Sequence, residues 1–342
     1  MANGNLSPAE RPPSYEKAAA PAPVDLRPLT TSELIDRGFA LYRANFAGFL
    51  LLALLCQTAP LLGQILVTTL KLDPSQSEFW DRPQTFFTKM GVIICVNLTT
   101  MLIVFCFEVV ITFFIADAYL GQIPSVTASL RKFATCSLGA IWTCALNWLC
   151  IGLTLLFPFL AVAVIYFYLL FHPPLEFIPI LVFSGVSLLF LVASFAPVLI
   201  VFMRLMVTIP ALALEGRAGW KAIRRSSALV RYDPGLGLLY WGEMRLSFLL
   251  LPLFIIELLI LSLTSLPLTL HQFGELMRNG SSGQMSPPPD SIMILSQILT
   301  FLAGSLILPL YSIATTLFYY DIRIRREGFD LEFMAGQPGG QK

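Results

Sequence analysis

Hydrophobic positions along the chain gather into six blocks, Phe46 to Leu70, Met90 to Leu120, Thr135 to Phe171, Phe177 to Leu214, Leu236 to Leu270 and Ser291 to Tyr320, separated by short polar stretches. The hydrocarbon core of a bilayer is about 30 Å thick and a helix rises about 1.5 Å per residue, so roughly 20 apolar residues cross it. Every block exceeds that length. The pattern predicts an all-α, polytopic helical membrane protein with six long transmembrane helices. The third and fourth blocks are long enough to raise an eight-span alternative, in which each folds back as a hairpin. Pro158 would leave the second arm of the third block with Phe159 to Phe171, short of the roughly 17 residues a span needs. Single long helices, reshaped at Pro158 and Pro197, are therefore expected.

Between the blocks the periodicity changes. Ile35, Phe39, Tyr42 and Phe46 recur at helical spacing and form one stripe, while Asp36, Arg37 and Arg43 fall away from it. Thr30 to Glu33 has the spacing of a capping box. This predicts a short amphipathic helix lying at the membrane surface ahead of the first span. A comparable stretch, Gly219 to Asp233, precedes the fifth span and carries Lys221, Arg224, Arg225 and Arg231. Shifting the first helix by 188 positions superimposes Arg37 on Arg225, Ala40 on Ala228 and Arg43 on Arg231. Half that shift falls on Arg131, Phe133 and Ala134, beside Lys132. The expectation is a threefold repeat, each unit an interfacial basic helix followed by a two-span hairpin, with a short helix between Gln122 and Phe133.

Charge sharpens this picture. Only 13% of residues are charged and the mean hydropathy is +0.75, far from a soluble domain. The net charge of +1 excludes the strongly basic balance of a nucleic-acid binder. With six spans, 18 of the 22 Lys and Arg fall on the side of the termini and only Lys71, Arg82, Lys89 and Arg278 on the other. Cytoplasmic loops retain basic residues, so both termini are expected in the cytoplasm, at the cell membrane. Residues 1–30 read as a disordered Pro/Ala-rich tail, 31–333 as a single helical membrane domain and 334–342 as a flexible tail. The tail includes Pro12-Pro13-Ser14-Tyr15, a weak match to proline-tyrosine ligands. The two segments opposite the termini, Lys71 to Lys89 and His271 to Asp290, are too short for a folded domain. The six cysteines lie in or beside apolar blocks and read as packing residues.

Three runs carry a family resemblance: Leu34-Ile35-Asp36-Arg37-Gly38-Phe39-Ala40-Leu41-Tyr42-Arg43-Ala44-Asn45-Phe46; Pro210-Ala211-Leu212-Ala213-Leu214-Glu215-Gly216 with Ala222-Ile223-Arg224-Arg225-Ser226; and Tyr319-Tyr320-Asp321-Ile322-Arg323-Ile324-Arg325-Arg326-Glu327-Gly328-Phe329-Asp330-Leu331. Over about residues 30 to 333 the chain resembles a bacterial integral membrane family labelled the glycerophosphoryl diester phosphodiesterase membrane domain. The resemblance implies a stand-alone membrane protein, because the phosphodiesterase partner domain's motifs are missing. His172 is followed by Pro173, His271 stands alone, and neither has a nearby Glu-x-Glu. No catalytic residue, metal or cofactor is carried over, and no enzyme activity is expected. Physically, Asp321 to Arg325 and Arg323 to Glu327 are i to i+4 pairs, and Gly328 suits the end of a helix.

Ionisable groups inside a span are candidate functional sites by default. Glu108, Arg204 and Glu257 are the candidates. A Glu108–Arg204 ion pair is expected, and Glu257 is expected to find a hydroxyl or amide such as Asn97 or Asn147. The function favoured on these grounds is a non-catalytic scaffold or accessory subunit. Its basic interfacial residues, Arg37, Arg43, Arg131, Lys132, Lys221, Arg224, Arg225, Arg231, Arg323, Arg325 and Arg326, would contact anionic lipid headgroups or a membrane-protein partner. The alternative is a transporter in which Glu108 and Glu257 line one polar cavity and helices broken at Pro158 and Pro197 expose backbone.

Overall fold

A computed structural model describes residues 27–72, 82–171, 177–231, 242–279 and 288–329, without side chains at 165–171, 177–184 and 279. The described residues form helices α1 (Thr31–Ala44), α2 (Phe46–Thr69), α3 (Pro83–Tyr119), α4 (Val126–Phe171), α5 (Phe177–Leu205), α6 (Thr208–Glu215), α7 (Trp220–Val230), α8 (Gly242–Thr264), α9 (Leu266–Asn279) and α10 (Asp290–Glu327). The chain is an all-α, multi-pass membrane protein. Six of its helices, α2, α3, α4, α5, α8 and α10, are long and apolar enough to cross a bilayer. Helix α4 runs unbroken through Pro158 and α5 through Pro197, so the eight-span alternative fails. The proline-tyrosine run in the tail, residues 334–342 and the loop 172–176 lie outside the described residues.

Several boundaries differ from expectation. The fourth span ends at Leu205, and after a turn at Met206 and Val207 the rest of that apolar block forms the separate helix α6. The fifth span ends at Thr264, and α9 continues into what the hydrophobic pattern left as a loop. Helix α10, by contrast, runs past the apolar block to Glu327 and ends at Gly328, as the Asp321–Arg325 and Arg323–Glu327 pairs led one to expect.

The threefold repeat is not present. Helices α1 and α7 are separate elements ahead of α2 and α8, but no separate helix stands between Gln122 and Phe133. Val126 starts the long α4, so Arg131 and Lys132 sit in its second turn. Asn45 caps the end of α1 and breaks it from α2, whereas no comparable residue follows Pro124 and Ser125 to interrupt α4.

Helix α10 is the hub, packed against α2, α8, α1 and α3, while α3, α4 and α5 extend the bundle to one side. Tight packing concentrates in the half of the bundle where α1, α6, α7 and the end of α10 meet, here the charged end. Phe49, Leu52, Ile111, Ile115, Leu246, Ile313, Leu317, Phe318 and Tyr319 are all buried there. In the far half, Leu62, Leu66, Ile94, Leu98, Leu259, Leu263 and Leu295 are exposed, as suits contact with hydrocarbon. Lipid gives little hydrophobic drive for helix pairing, so small residues bring the helices together. A Cβ on Gly48 would lie 2.5 Å from Phe114.

Helix α1 corrects the predicted stripe. Its buried residues are Leu34, Gly38 and Tyr42, whereas Phe39 and Phe46 are exposed. Gly38 lets Ile313 approach, and the Tyr42 hydroxyl donates to the Leu306 carbonyl at 3.1 Å. The helix thus has one flank on α10 and another apolar edge facing outward. Periodicity merges the two into one stripe.

Candidate functional site

At the charged end α10 finishes with a buried carboxylate. Asp321, only 1% exposed, accepts from Arg325 Nε one turn later at 2.9 Å and from Arg245 Nη1 of α8 at 2.9 Å. It also accepts the backbone N–H of Leu29 at 2.7 Å. The Leu29 carbonyl takes Arg325 Nη2 at 2.6 Å and Arg245 Nη2 at 3.1 Å. Both backbone groups of one residue are captured by one carboxylate and two guanidiniums, and the Leu29 side chain is buried. At the next residue Thr30 caps α1. Its hydroxyl accepts the Glu33 N–H and its own N–H donates to Glu33 Oε2 at 2.7 Å, completing the expected capping box. These bonds and the Arg27 guanidinium hold the Glu33 carboxyl down at about 2.

A second knot forms around Glu215, the last residue of α6, where Gly216 turns the chain in a left-handed conformation. Arg225 Nε of α7 donates to both its oxygens at 2.8 and 2.9 Å, and the Tyr319 hydroxyl and Arg217 add bonds of 2.9 Å each. The same guanidinium reaches Glu327 on α10 at 2.6 Å, which Arg323 also contacts at 3.1 Å. Hydrogen bonds to Glu327 and Glu215 hold Arg225 well above the usual arginine range, fixed in its charged form. Arg323 lies over the Phe329 ring with 4.4 Å to its centroid, a cation–π contact. Arg326 donates to the carbonyls of Ala228 and Arg231, satisfying backbone that the end of α7 leaves open.

The two knots draw on two of the three runs that carried the family resemblance, the α6–α7 turn and the end of α10, and on Leu29 just ahead of the first run. Arg225, Arg323, Arg325 and Arg326, expected among the lipid-facing cations, are engaged within the protein. Lys132 also pairs internally, with Asp117 at 2.6 Å. Arg43, Arg131, Lys221, Arg224 and Arg231 are exposed and have no ion-pair partner among the described residues. Arg37 on α1 has contacts of its own. Lys221 and Arg224 line an open groove with Arg217, Ala218 and the half-exposed Trp220.

The intramembrane candidates separate. Arg204 pairs with Glu243 at 2.7 Å and not with Glu108. The reason is depth: Arg204 is in the last turn of α5 and Glu243 in the first turn of α8, whereas Glu108 stands about 16 Å up α3 from Tyr119. The carboxyl of Glu108 has no hydrogen-bond or ion-pair partner among the described residues. Glu257 accepts the Tyr311 hydroxyl at 2.7 Å, in place of Asn97, which bonds its own helix, or Asn147. It lines a cleft of about 130 Å³ with Gln57, Thr264, Thr300 and Tyr311, and Glu108 does not line that cleft. Where the transporter reading expected helices broken at Pro158 and Pro197, α4 and α5 run on through both prolines.

Sequence reasoning missed Arg245 and Leu29 in the first knot, Trp220 at the groove, and Gln57 and Tyr311 at the cleft. Arg245 carried a signal, as a charge inside an apolar block. The contact at Leu29 is made by backbone and left none. Among the described residues no three His, Cys, Asp or Glu side chains gather as a metal would require. Comparisons with models of known protein families, with curated proteins and with solved structures found no match to this chain.

Proposed function

We propose that the protein is a non-catalytic membrane scaffold or accessory subunit at the cell membrane, with the charged end and both termini in the cytoplasm. There its remaining basic side chains contact anionic lipid headgroups. The observation that supports this is the division of labour among the cations. The arginines of the Asp321 and Glu215 knots are ion-paired into structure, which leaves Lys221 and Arg224 beside an open groove and Trp220 at its edge. Trp is favoured where membrane meets water, and each basic residue near an anionic surface contributes about 1 kcal/mol. The resemblance to the glycerophosphoryl diester phosphodiesterase membrane-domain family fits the same reading, since two of the runs that carry it supply the ion pairs around Glu215 and Asp321.

The test is lipid retention. The full chain is reconstituted into nanodiscs of phosphatidylcholine mixed with phosphatidylglycerol, released, and its co-bound lipid counted by native mass spectrometry. Wild type should enrich phosphatidylglycerol over the bulk ratio, and Lys221→Gln with Arg224→Gln should abolish most of the enrichment. Unchanged enrichment in the double variant would overturn the reading.

A further inference from the structure

Glu257 is the least compensated charge-bearing group in the spans that has a defined site. It sits seven residues before the end of α8, opposite Tyr311 near the middle of α10. It is exposed, and so are Phe254, Leu258 and Leu261 on the same face of α8. The surrounding surface is therefore of the kind that meets lipid or another helix. A carboxylate on such a surface is costly in hydrocarbon, and one phenol hydroxyl offsets little of that. Three helices nevertheless bring polar groups to it: Gln57 from α2, Thr264 from α8, and Thr300 and Tyr311 from α10. Gly304 deepens the cleft, since a Cβ there would lie 2.8 Å from the Gln57 amide. Toward the charged end the α8–α10 seam continues as an apolar hollow lined by Leu253, Ile256, Leu310 and Ile313. The seam thus offers an apolar track that leads to one acid.

We propose that this seam docks a transmembrane helix of a partner protein, and that a Lys or Arg near the middle of that helix enters the cleft and pairs with Glu257. Charge complementarity selects the occupant, because an acid within the membrane is stabilised by a cation at its own depth. A second copy of this chain does not supply one. In the six spans every described Lys or Arg lies within about two turns of a helix end, and Arg204 and Arg245 are already paired. The cleft's volume, enough for a few waters, admits the end of a single long side chain. The docking face is separate from the lipid-contacting groove, so each reading fails or stands without the other.

The probe is a synthetic leucine-rich transmembrane peptide with one central Lys, compared with the same peptide carrying Leu there. Each is labelled and co-reconstituted with the labelled full chain in phosphatidylcholine vesicles, and association is read by energy transfer. The Lys peptide should bind wild type about tenfold more tightly than the Leu peptide. Glu257→Gln should erase that preference, while Glu257→Asp and Tyr311→Phe keep it. Equal binding of the two peptides to wild type would overturn the proposal, as would a preference that survives Glu257→Gln. Glu257-dependent proton uptake by the vesicles without any peptide preference would likewise overturn it, assigning the cleft to a proton.

Discussion

Asp321 accepts the backbone N–H of Leu29 at 2.7 Å, closing a contact between residues 292 positions apart in the chain. Arg245 and Arg325 complete it from either side by binding both the carboxylate and the Leu29 carbonyl. The entry to α1, the start of α8 and the end of α10 are therefore tied at one buried point. Because Leu29 contributes through its backbone, substitution at position 29 would change packing but leave the clamp's hydrogen bonds in place.

Neutralising the carboxylate should be far more damaging. Asp321→Asn keeps the volume but leaves Arg245 and Arg325 without a counter-charge, and removing one partner of a buried pair costs about 3–5 kcal/mol. The variant should unfold at markedly lower temperature in detergent, and the Leu29 amide should lose its protection in hydrogen exchange. A melting point close to wild type would show that the clamp contributes little.

Much of this end was legible in the sequence, for reasons of local geometry. The pairs Asp321–Arg325 and Arg323–Glu327, the Gly328 terminus and the Thr30–Glu33 capping box all follow from spacing along one helix, and all are present. Six spans were legible because hydrocarbon thickness sets block length. What spacing does not encode is which helices meet. Arg204 finds Glu243 because α5 stops at Leu205, a break inside a continuous apolar run. The repeat failed at Arg131 for a related reason, since charge periodicity does not say whether a helix ends. Tyr311 at Glu257 and Arg245 at Asp321 are contacts between helices far apart in the chain.

Arg225 bridges Glu215 and Glu327, and its planar fork is what allows one side chain to serve two carboxylates. Arg225→Lys should keep one of the two contacts. In a double-mutant cycle, Glu215→Gln and Arg225→Gln should show a coupling of about 1–3 kcal/mol, because both side chains are largely buried. Denaturation of the four proteins in one detergent measures it. A coupling near zero would reduce the knot to a surface ion pair.

The α1 capping box should weaken in acid. Glu33 ionises at about 2 in the folded chain against 4.5 as its ordinary value, so its contribution is complete above pH 4.5 and is lost as pH falls toward and through 2. Exchange of the Glu33 and Leu34 amides, followed from pH 6 to pH 2 at constant intrinsic rate, should accelerate across that window in wild type. Glu33→Gln, which has no carboxyl to protonate, should give a flat response there. Matching profiles for the two proteins would exclude the carboxylate as the cause.

Gly219 sets the direction in which α7 leaves the α6 turn, and it should not tolerate a side chain. Its φ of 64° and ψ of −136° belong to glycine, and a Cβ there would lie 2.6 Å from Trp142 Cδ1. Its N–H is held by the Thr143 hydroxyl at 2.7 Å, which limits how far the backbone can move aside. Gly219→Ala should therefore cost about 2–5 kcal/mol from strain and crowding together. Gly216→Ala is the control, because its φ of 65° is also left-handed but a Cβ there meets nothing within 4 Å, so only about 1–2 kcal/mol is expected. Helix α7 carries Lys221 and Arg224, so Gly219→Ala should also reduce phosphatidylglycerol retention while Gly216→Ala leaves more of it. Equal losses of stability in the two variants would mean that Trp142 yields freely and that Gly219 does not set the position of α7.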